Sequence, residues 1–309
     1  MKKFLKCVWS KYGINPFDRL LRQAVKRSHK RFLICWNRGL GDIALGLYAL
    51  TFRIHSKIPD AKITFLTRSD LKEGFEMLQC GEVLVDPDWK RGRKMDLDLS
   101  LEKLGRKLEE FEVVIEQPDP TQWCMWQIGK LVPKLDWRAE WDSLVLRFGV
   151  DQQKMIVGVH VETQTNYGYE KNWPIENWQR LLDVLTREMG CQVLVFGGRS
   201  ESVVERDGVV DLRGKTTLYE MLSLIKNCCD CLVVPDSGVL SLTYYLNCPF
   251  PLTVISLWAD RKQGVLKQGV ASPNVKLVHV PCVAVEGDMR TICVEDVLEK
   301  IRDVLLVKR

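Results

Sequence analysis

The sequence has no stretch approaching the roughly 18 to 20 apolar residues a membrane-spanning helix needs. It also has no early apolar run of signal-peptide length. These absences predict a chain that is soluble or attached to a surface. Its eleven cysteines follow no disulfide framework, which favours a reducing compartment and a cytoplasmic location. The densest group, Cys228, Cys229 and Cys231, lacks a second Cys or His pair at zinc spacing and reads as small buried hydrophobes. No tight carboxylate pair suited to a metal stands at a predicted strand end. Asp96-Leu-Asp98 falls in a charged stretch and reads as solvated, so no metal and no bound cofactor are expected. There is no nucleic-acid motif and no internal repeat.

Acids are scarce in one place. The first thirty-one residues hold ten Lys or Arg and a single acid, Asp18, although the whole chain carries a formal charge of only +5. There Phe4, Leu5, Val8, Trp9, Tyr12 and Phe17 alternate with Lys2, Lys3, Lys6 and Lys11. Residues 1–30 therefore read either as a solvated basic extension or as a peripheral contact with an anionic membrane. The second reading would place the protein at the inner face of the cell membrane.

From Arg31 onward short apolar runs alternate with amphipathic stretches, the pattern of strands and helices around parallel sheets, and the fold class is α/β. The 309 residues, 46% of them hydrophobic, suit two medium domains. One series spans 31–152, with strands at 32–36, 63–66, 83–85 and 113–115 and a helix whose inner face is Ile43, Leu47, Leu50 and Ile54. A tryptophan-rich stretch at 123–149 has no clean period and predicts irregular structure before the boundary. The second series, 153–309, predicts strands at 155–160, 192–196, 231–234 and 252–257, with a closing helix at 294–304.

Two strand-to-helix turns carry the chemistry. Asn37-Arg-Gly-Leu-Gly-Asp42 follows the first strand without the dinucleotide Gly-x-Gly-x-x-Gly spacing, and Asp42 would repel a phosphate there. Asp42 is either a helix cap or a carboxylate that takes a proton from an acceptor hydroxyl, with Arg38, Gly39 and Gly41 shaping the acceptor side. Val233-Val-Pro-Asp-Ser-Gly238 offers the amides after Ser237 and Gly238 to an anion, or Asp236 and Ser237 merely form a turn and cap. Lys171, in Lys171-Asn-Trp-Pro174, places a cation just before a helix. His160 ends a strand, and Phe196-Gly-Gly-Arg-Ser-Glu201 suits close approach of a ribose or base.

In order, Gly41-Asp-Ile43, Lys171-Asn-Trp-Pro174, Phe196-Gly-Gly, Leu212-Arg-Gly-Lys-Thr-Thr-Leu218, Asp236-Ser-Gly238 and Leu257-Trp-Ala-Asp260 resemble the family 9 glycosyltransferases. These are typified by bacterial ADP-heptose lipopolysaccharide heptosyltransferases. The resemblance implies a GT-B arrangement, two facing Rossmann-like domains with a cleft between them, the acceptor on the first and the nucleotide sugar on the second. It implies an inverting transfer of a heptose or related sugar from a nucleotide diphosphate, ADP-linked by preference, to lipopolysaccharide or another glycan or glycolipid. Asp42 matches the family's base and Lys171 its phosphate contact. Asp236, Ser237 and Gly238 match its diphosphate turn, and Glu201 an acid near the ribose. Where the family reads Asp-Thr/Ser-Gly-x-x-His, this chain has Ser241, so a nucleotide-sugar-binding homologue with lost or altered transfer is the alternative.

Overall fold

In the computed structural model, which describes residues 15–151, 153–163, 170–198 and 206–308, the chain splits into two compact units, Met1–Pro133 and Lys134–Arg309. Each is built on its own parallel sheet.

The first unit starts with α1 (Pro16–Lys26). The Asn15 side chain caps it by accepting from Phe17 N, and Pro16 has no N–H to lose at the first helical position. Phe17, Leu21 and Ala24, spaced i, i+4, i+7, form its buried face. Phe17 stacks on Trp123 at 5.6 Å, and Asn15 Nδ2 donates to the Trp123 carbonyl. The expectation that residues 1–30 form an extension outside the fold is therefore corrected from Asn15 onward. The charge pattern masked a three-residue apolar face that belongs to the core.

Four strands follow: β1 (Arg31–Trp36), β2 (Lys62–Thr67), β3 (Gly81–Val85) and β4 (Val113–Ile115), in the order β3-β2-β1-β4. Their near-continuous apolar runs suit parallel strands covered on both faces, and β1 and β2 are buried beyond their first residue. After β1, the residues Ile43–Leu47 form a π-helical turn that runs into α2 (Tyr48–Lys57). The predicted inner face, Ile43, Leu47, Leu50 and Ile54, is fully buried. Within the wide turn the Leu45 carbonyl accepts from Gln127 Nε2 at 2.6 Å. Three shorter helices, α3 (Lys72–Glu76), α4 (Leu97–Lys103) and α5 (Pro120–Trp123), complete the unit.

The second unit holds a six-stranded sheet, β10-β9-β8-β5-β6-β7, made of β5 (Ile156–His160), β6 (Gln192–Phe196), β7 (Val209–Asp211), β8 (Cys231–Pro235), β9 (Leu252–Trp258) and β10 (Leu277–Val283). The helices are α6 (Ile175–Asp183), α7 (Leu218–Asn227), α8 (Gly238–Tyr244), α9 (Gly264–Gln268) and α10 (Val294–Lys308). Val157, Val159, Val193 and Val195 pack against Trp178, Leu181 and Leu182 of α6 and Val297, Leu298 and Ile301 of α10. Each such side chain contributes roughly 1.5 to 3 kcal/mol relative to exposure. Cys228, Cys229 and Cys231 are buried, as expected, and form no disulfide among the described residues, and burial pushes the Cys229 and Cys231 thiols up.

The break between units falls at Pro133, not at 152–153 as the sequence predicts. Residues 134–151 pack with the second unit because their aromatic side chains find partners there. Trp141 stacks on Tyr219 at 4.0 Å, Ser223 Oγ donates to the Trp141 carbonyl, and Arg147 pairs with the buried Glu220.

Candidate functional site

Parallel open sheets bind ligands outside the carboxyl ends of their strands, where the strand order reverses. In the first unit the chain runs β1, β2, β3 to one side and then places β4 on the other side of β1. The reversal therefore lies between β1 and β4. In the second it runs β5, β6, β7 one way and β8, β9, β10 the other, so the reversal lies between β5 and β8. The two turns singled out in the sequence leave β1 and β8, at these two points.

The β1 turn is held by its own neighbours. Trp36 Nε1 donates to the Gly39 carbonyl at 3.1 Å. Asn37 Nδ2 donates to the carbonyls of Lys90 and Arg93 at 2.9 and 2.7 Å, and the Asn37 carbonyl accepts from Gly92 N. The basic loop around Lys90 to Lys94 is thereby fastened to the turn through its backbone, while the side chains of Lys90, Arg93 and Lys94 remain exposed. Nothing in their charge signalled this. A small cavity lies there, lined by Trp36, Asn37, Arg38, Arg93, Lys94 and Glu116 among others. Arg38 is exposed and lies 5.9 Å over the Trp36 ring.

Asp42 is half-buried and makes no side-chain capping bond to the helix it precedes, so the cap reading is set aside. Its carboxylate folds back over Gly39: a Cβ placed on Gly39 would meet Asp42 Oδ2 at 2.6 Å. The glycine is what lets the carboxylate occupy that place. Gly41 sits beside it, half-buried, as the helix opens.

The β8 turn brings three predicted residues together. Asp236 is 6% exposed, and its Oδ2 lies 3.0 Å from Lys171 Nζ, whose side chain is 20% exposed. Lys171 reaches this partner, 65 residues away, from the loop that precedes α6. Asn172 exchanges two hydrogen bonds with Thr163, and Trp173 is buried with its indole donating to the Ile292 carbonyl. Ser237 caps α8, its Oγ accepting from Leu240 N at 3.2 Å, and Gly238 follows, half-exposed. Behind Asp236 stands Gly264, at φ +46°, where a Cβ would meet Asp236 Oδ1 at 2.6 Å and the Trp258 ring at 2.7 Å. Trp258 is in turn held by Ser256, which also pairs with His279 at 2.6 Å.

Ser241 is on α8 but faces inward. It is 1% exposed, and its hydroxyl donates to the Ser237 carbonyl at 3.1 Å, so the helix itself uses its proton. Glu201 lies outside the described residues. The Asp211-Leu-Arg motif has a structural role: Arg213 is buried, clamps Asp211 through Nε and Nη2, and holds its carboxyl below the usual range. The Gly214 N–H then donates to the Gly197 carbonyl.

His160 acquires a place that the sequence only hinted at. It ends β5, the strand beside β8, is 7% exposed, and its Nδ1 has no hydrogen-bond partner among the described residues. Burial pushes its pKa down to about 4, so the ring is neutral at pH 7. Among the described residues no group of three or more His, Cys, Asp or Glu could hold a metal ion, and no helix is long and apolar enough to cross a membrane.

Residues 132–283 match the family model of glycosyltransferase family 9 (heptosyltransferase). No curated protein matches the chain in sequence. Among solved structures, the chain is similar to E. coli ADP-heptose lps heptosyltransferase II (TM-score 0.63, 16% identity, 90% of this chain and 99% of that one). It is also similar to a family 9 glycosyl transferase from Veillonella parvula (TM-score 0.58, 16% identity, 90% and 97%). A third is the E. coli heptosyltransferase WaaC with ADP (TM-score 0.53, 15% identity, 89% and 99%). At these identities the structures establish the α/β fold alone, and the family model adds a glycosyltransferase family 9 (heptosyltransferase) domain at residues 132–283, lying almost wholly in the second unit.

Proposed function

We propose that the chain moves a sugar, heptose or a related one, from a nucleotide diphosphate to a lipopolysaccharide or other glycan acceptor with inversion. ADP is the favoured nucleotide because one similar structure is of an ADP-heptose enzyme and another is with ADP. The observation that carries the reading is the Lys171–Asp236 pair at the reversal point of the six-stranded sheet, inside the matched family domain. A cation fixed beside the first amides of α8 is what a departing diphosphate requires. One such preorganised donor is worth on the order of 3 kcal/mol in the transition state. Asp42 is assigned to the acceptor hydroxyl as base. A carboxylate is a weak base for an alcohol, so it acts late, once the hydroxyl has acidified. The protein is assigned to the cytoplasm, with no metal or other cofactor taking part in the scheme.

The test is a thermal-unfolding panel with ADP-, GDP-, UDP- and CMP-sugars, followed by transfer to a crude glycolipid extract. A donor present at about 100 times its Kd should stabilise by roughly 2.7 kcal/mol. Asp42→Asn is expected to keep that stabilisation and lose transfer by about 10² to 10⁴-fold. Full turnover in Asp42→Asn would remove Asp42 as base. Ser241 favours a second reading, a binder without transfer, because the family's histidine position holds a serine turned into the helix. Tight donor binding with neither donor hydrolysis nor transfer would select it.

A further inference from the structure

The first unit carries a surface that the sugar chemistry does not use. The buried face of α1 is Phe17, Leu21 and Ala24. At 100° per residue the opposite face is Arg19, Arg22, Gln23 and Lys26, and all four are exposed, with Arg27 just beyond the helix end. Three cations at i, i+3 and i+7 thus point away from the fold. The one acid of α1, Asp18, is taken by Arg53 of α2 at 3.1 Å.

The elements that α1 packs on continue the pattern. Tyr48–Lys57 contains Arg53 and Lys57 and no acid, and residues 120–131 contain Lys130 and no acid. Apolar side chains stand out among these cations: Met125 is 61% exposed, Val25 50% and Phe52 47%. Phe52 and Arg53 both pack on Trp126, at 6.3 and 5.3 Å, and Trp123 lies on Phe17, so the exposed carbon adjoins the basic helix.

We propose that this face, the outward side of α1 with Phe52 and Met125, docks on an anionic lipid bilayer. Charge alone would serve a nucleic acid equally well. The carbon decides, since a phosphodiester backbone offers nothing to an exposed Phe and Met, whereas the headgroup boundary of a bilayer accepts cations and apolar side chains together. The sequence that leads into α1 is of the same kind, with Lys2, Lys3, Lys6 and Lys11 among Phe4, Trp9 and Tyr12. The surface moves the expected membrane contact from a loose tail onto a helix fixed to the core, and it stands whether or not the donor assignment does.

The test is co-sedimentation of the full chain with vesicles of phosphatidylcholine alone and of phosphatidylcholine mixed with phosphatidylglycerol. Binding is expected only with the anionic lipid and weakens as salt rises. Replacing Arg19, Arg22 and Lys26 together by Glu should lower partitioning by about tenfold or more with thermal stability unchanged. Phe52→Ser should lower what binding persists at high salt. Should the triple variant unfold, Arg19→Gln with Arg22→Gln is measured in its place, with a smaller loss expected. Wild-type partitioning of these charge variants, equal binding to neutral vesicles, or a preference for duplex DNA over the anionic vesicles would each overturn the proposal.

Discussion

At the scale of single residues, the Lys171–Asp236 pair combines a structural and a functional demand. Asp236 is a nearly buried carboxylate, and removing Lys171 takes away the cation paired with it. Breaking a fully buried pair costs about 3 to 5 kcal/mol; with Lys171 partly wet, we expect about 2 to 3 kcal/mol for Lys171→Ala. Adding Asp236→Asn to it should restore most of that stability, because an uncharged pair no longer needs its partner. Donor binding should not return, because the cation is still missing. Denaturant unfolding of the two single variants and the double, each with and without ADP-sugar, separates the two roles. Recovery of donor stabilisation in the double variant would show that Lys171 only props up Asp236. His160 supplies a pH dependence. Its folded-state pKa is about 4 against 6.5 for a free imidazole, so the unfolded chain takes up the proton first as pH falls. Stability from this residue is complete above about 6.5 and is lost as pH drops from there toward 4. The loss between pH 7 and pH 5 should be about 2 kcal/mol. Urea unfolding at both values, compared with His160→Asn, should show that increment disappear in the variant.

At the scale of elements, what the sequence made legible was set by burial. β4 and β6 fall at the predicted bounds, and β1, β2, β5, β8 and β9 fall within two residues of them, because each is an apolar run covered on both faces. The two edge strands of the six-stranded sheet escaped. β7 is half-buried throughout, and β10 carries His279 and Pro281 in a run that has no clean period and reads as loop. Pro281 is tolerated there because an edge strand leaves one row of N–H groups without a ladder partner. α1 was missed for the opposite reason: its three core residues are outnumbered by charges, and only the partner surface around Trp123 shows that they have somewhere to go. The candidate site was legible as motifs but not as contacts. Asp236-Ser-Gly and Lys171 could be named separately, whereas their meeting at 3.0 Å spans a separation of 65 residues that no local pattern records. Asn37 and Gly264 had no signal of their own. The first matters through the backbone of another loop, the second through the space it leaves for Asp236 and Trp258.

At the scale of the whole molecule, topology alone cannot say which unit takes the nucleotide. Both sheets reverse their order beside a strand that ends in a glycine turn, and both turns place a carboxylate over a glycine that has no room for a Cβ. The symmetry is broken by charge. The β8 turn has Lys171 against its aspartate, and the matched family domain, residues 132–283, lies within that unit apart from its first two residues. A diphosphate near Asp42 would face an acid at the start of a helix, which is unfavourable at the end of the dipole where anions otherwise bind. ADP without acceptor should therefore slow amide hydrogen exchange at 170–173 and 236–241 and leave 37–47 unchanged in the intact chain. Adding an acceptor should extend protection to 37–47, because only then does the Asp42 turn have a ligand to hold. Protection at 37–47 by ADP alone, with 236–241 exchanging as in the free protein, would exchange the roles of the two turns and remove Asp42 from the acceptor side.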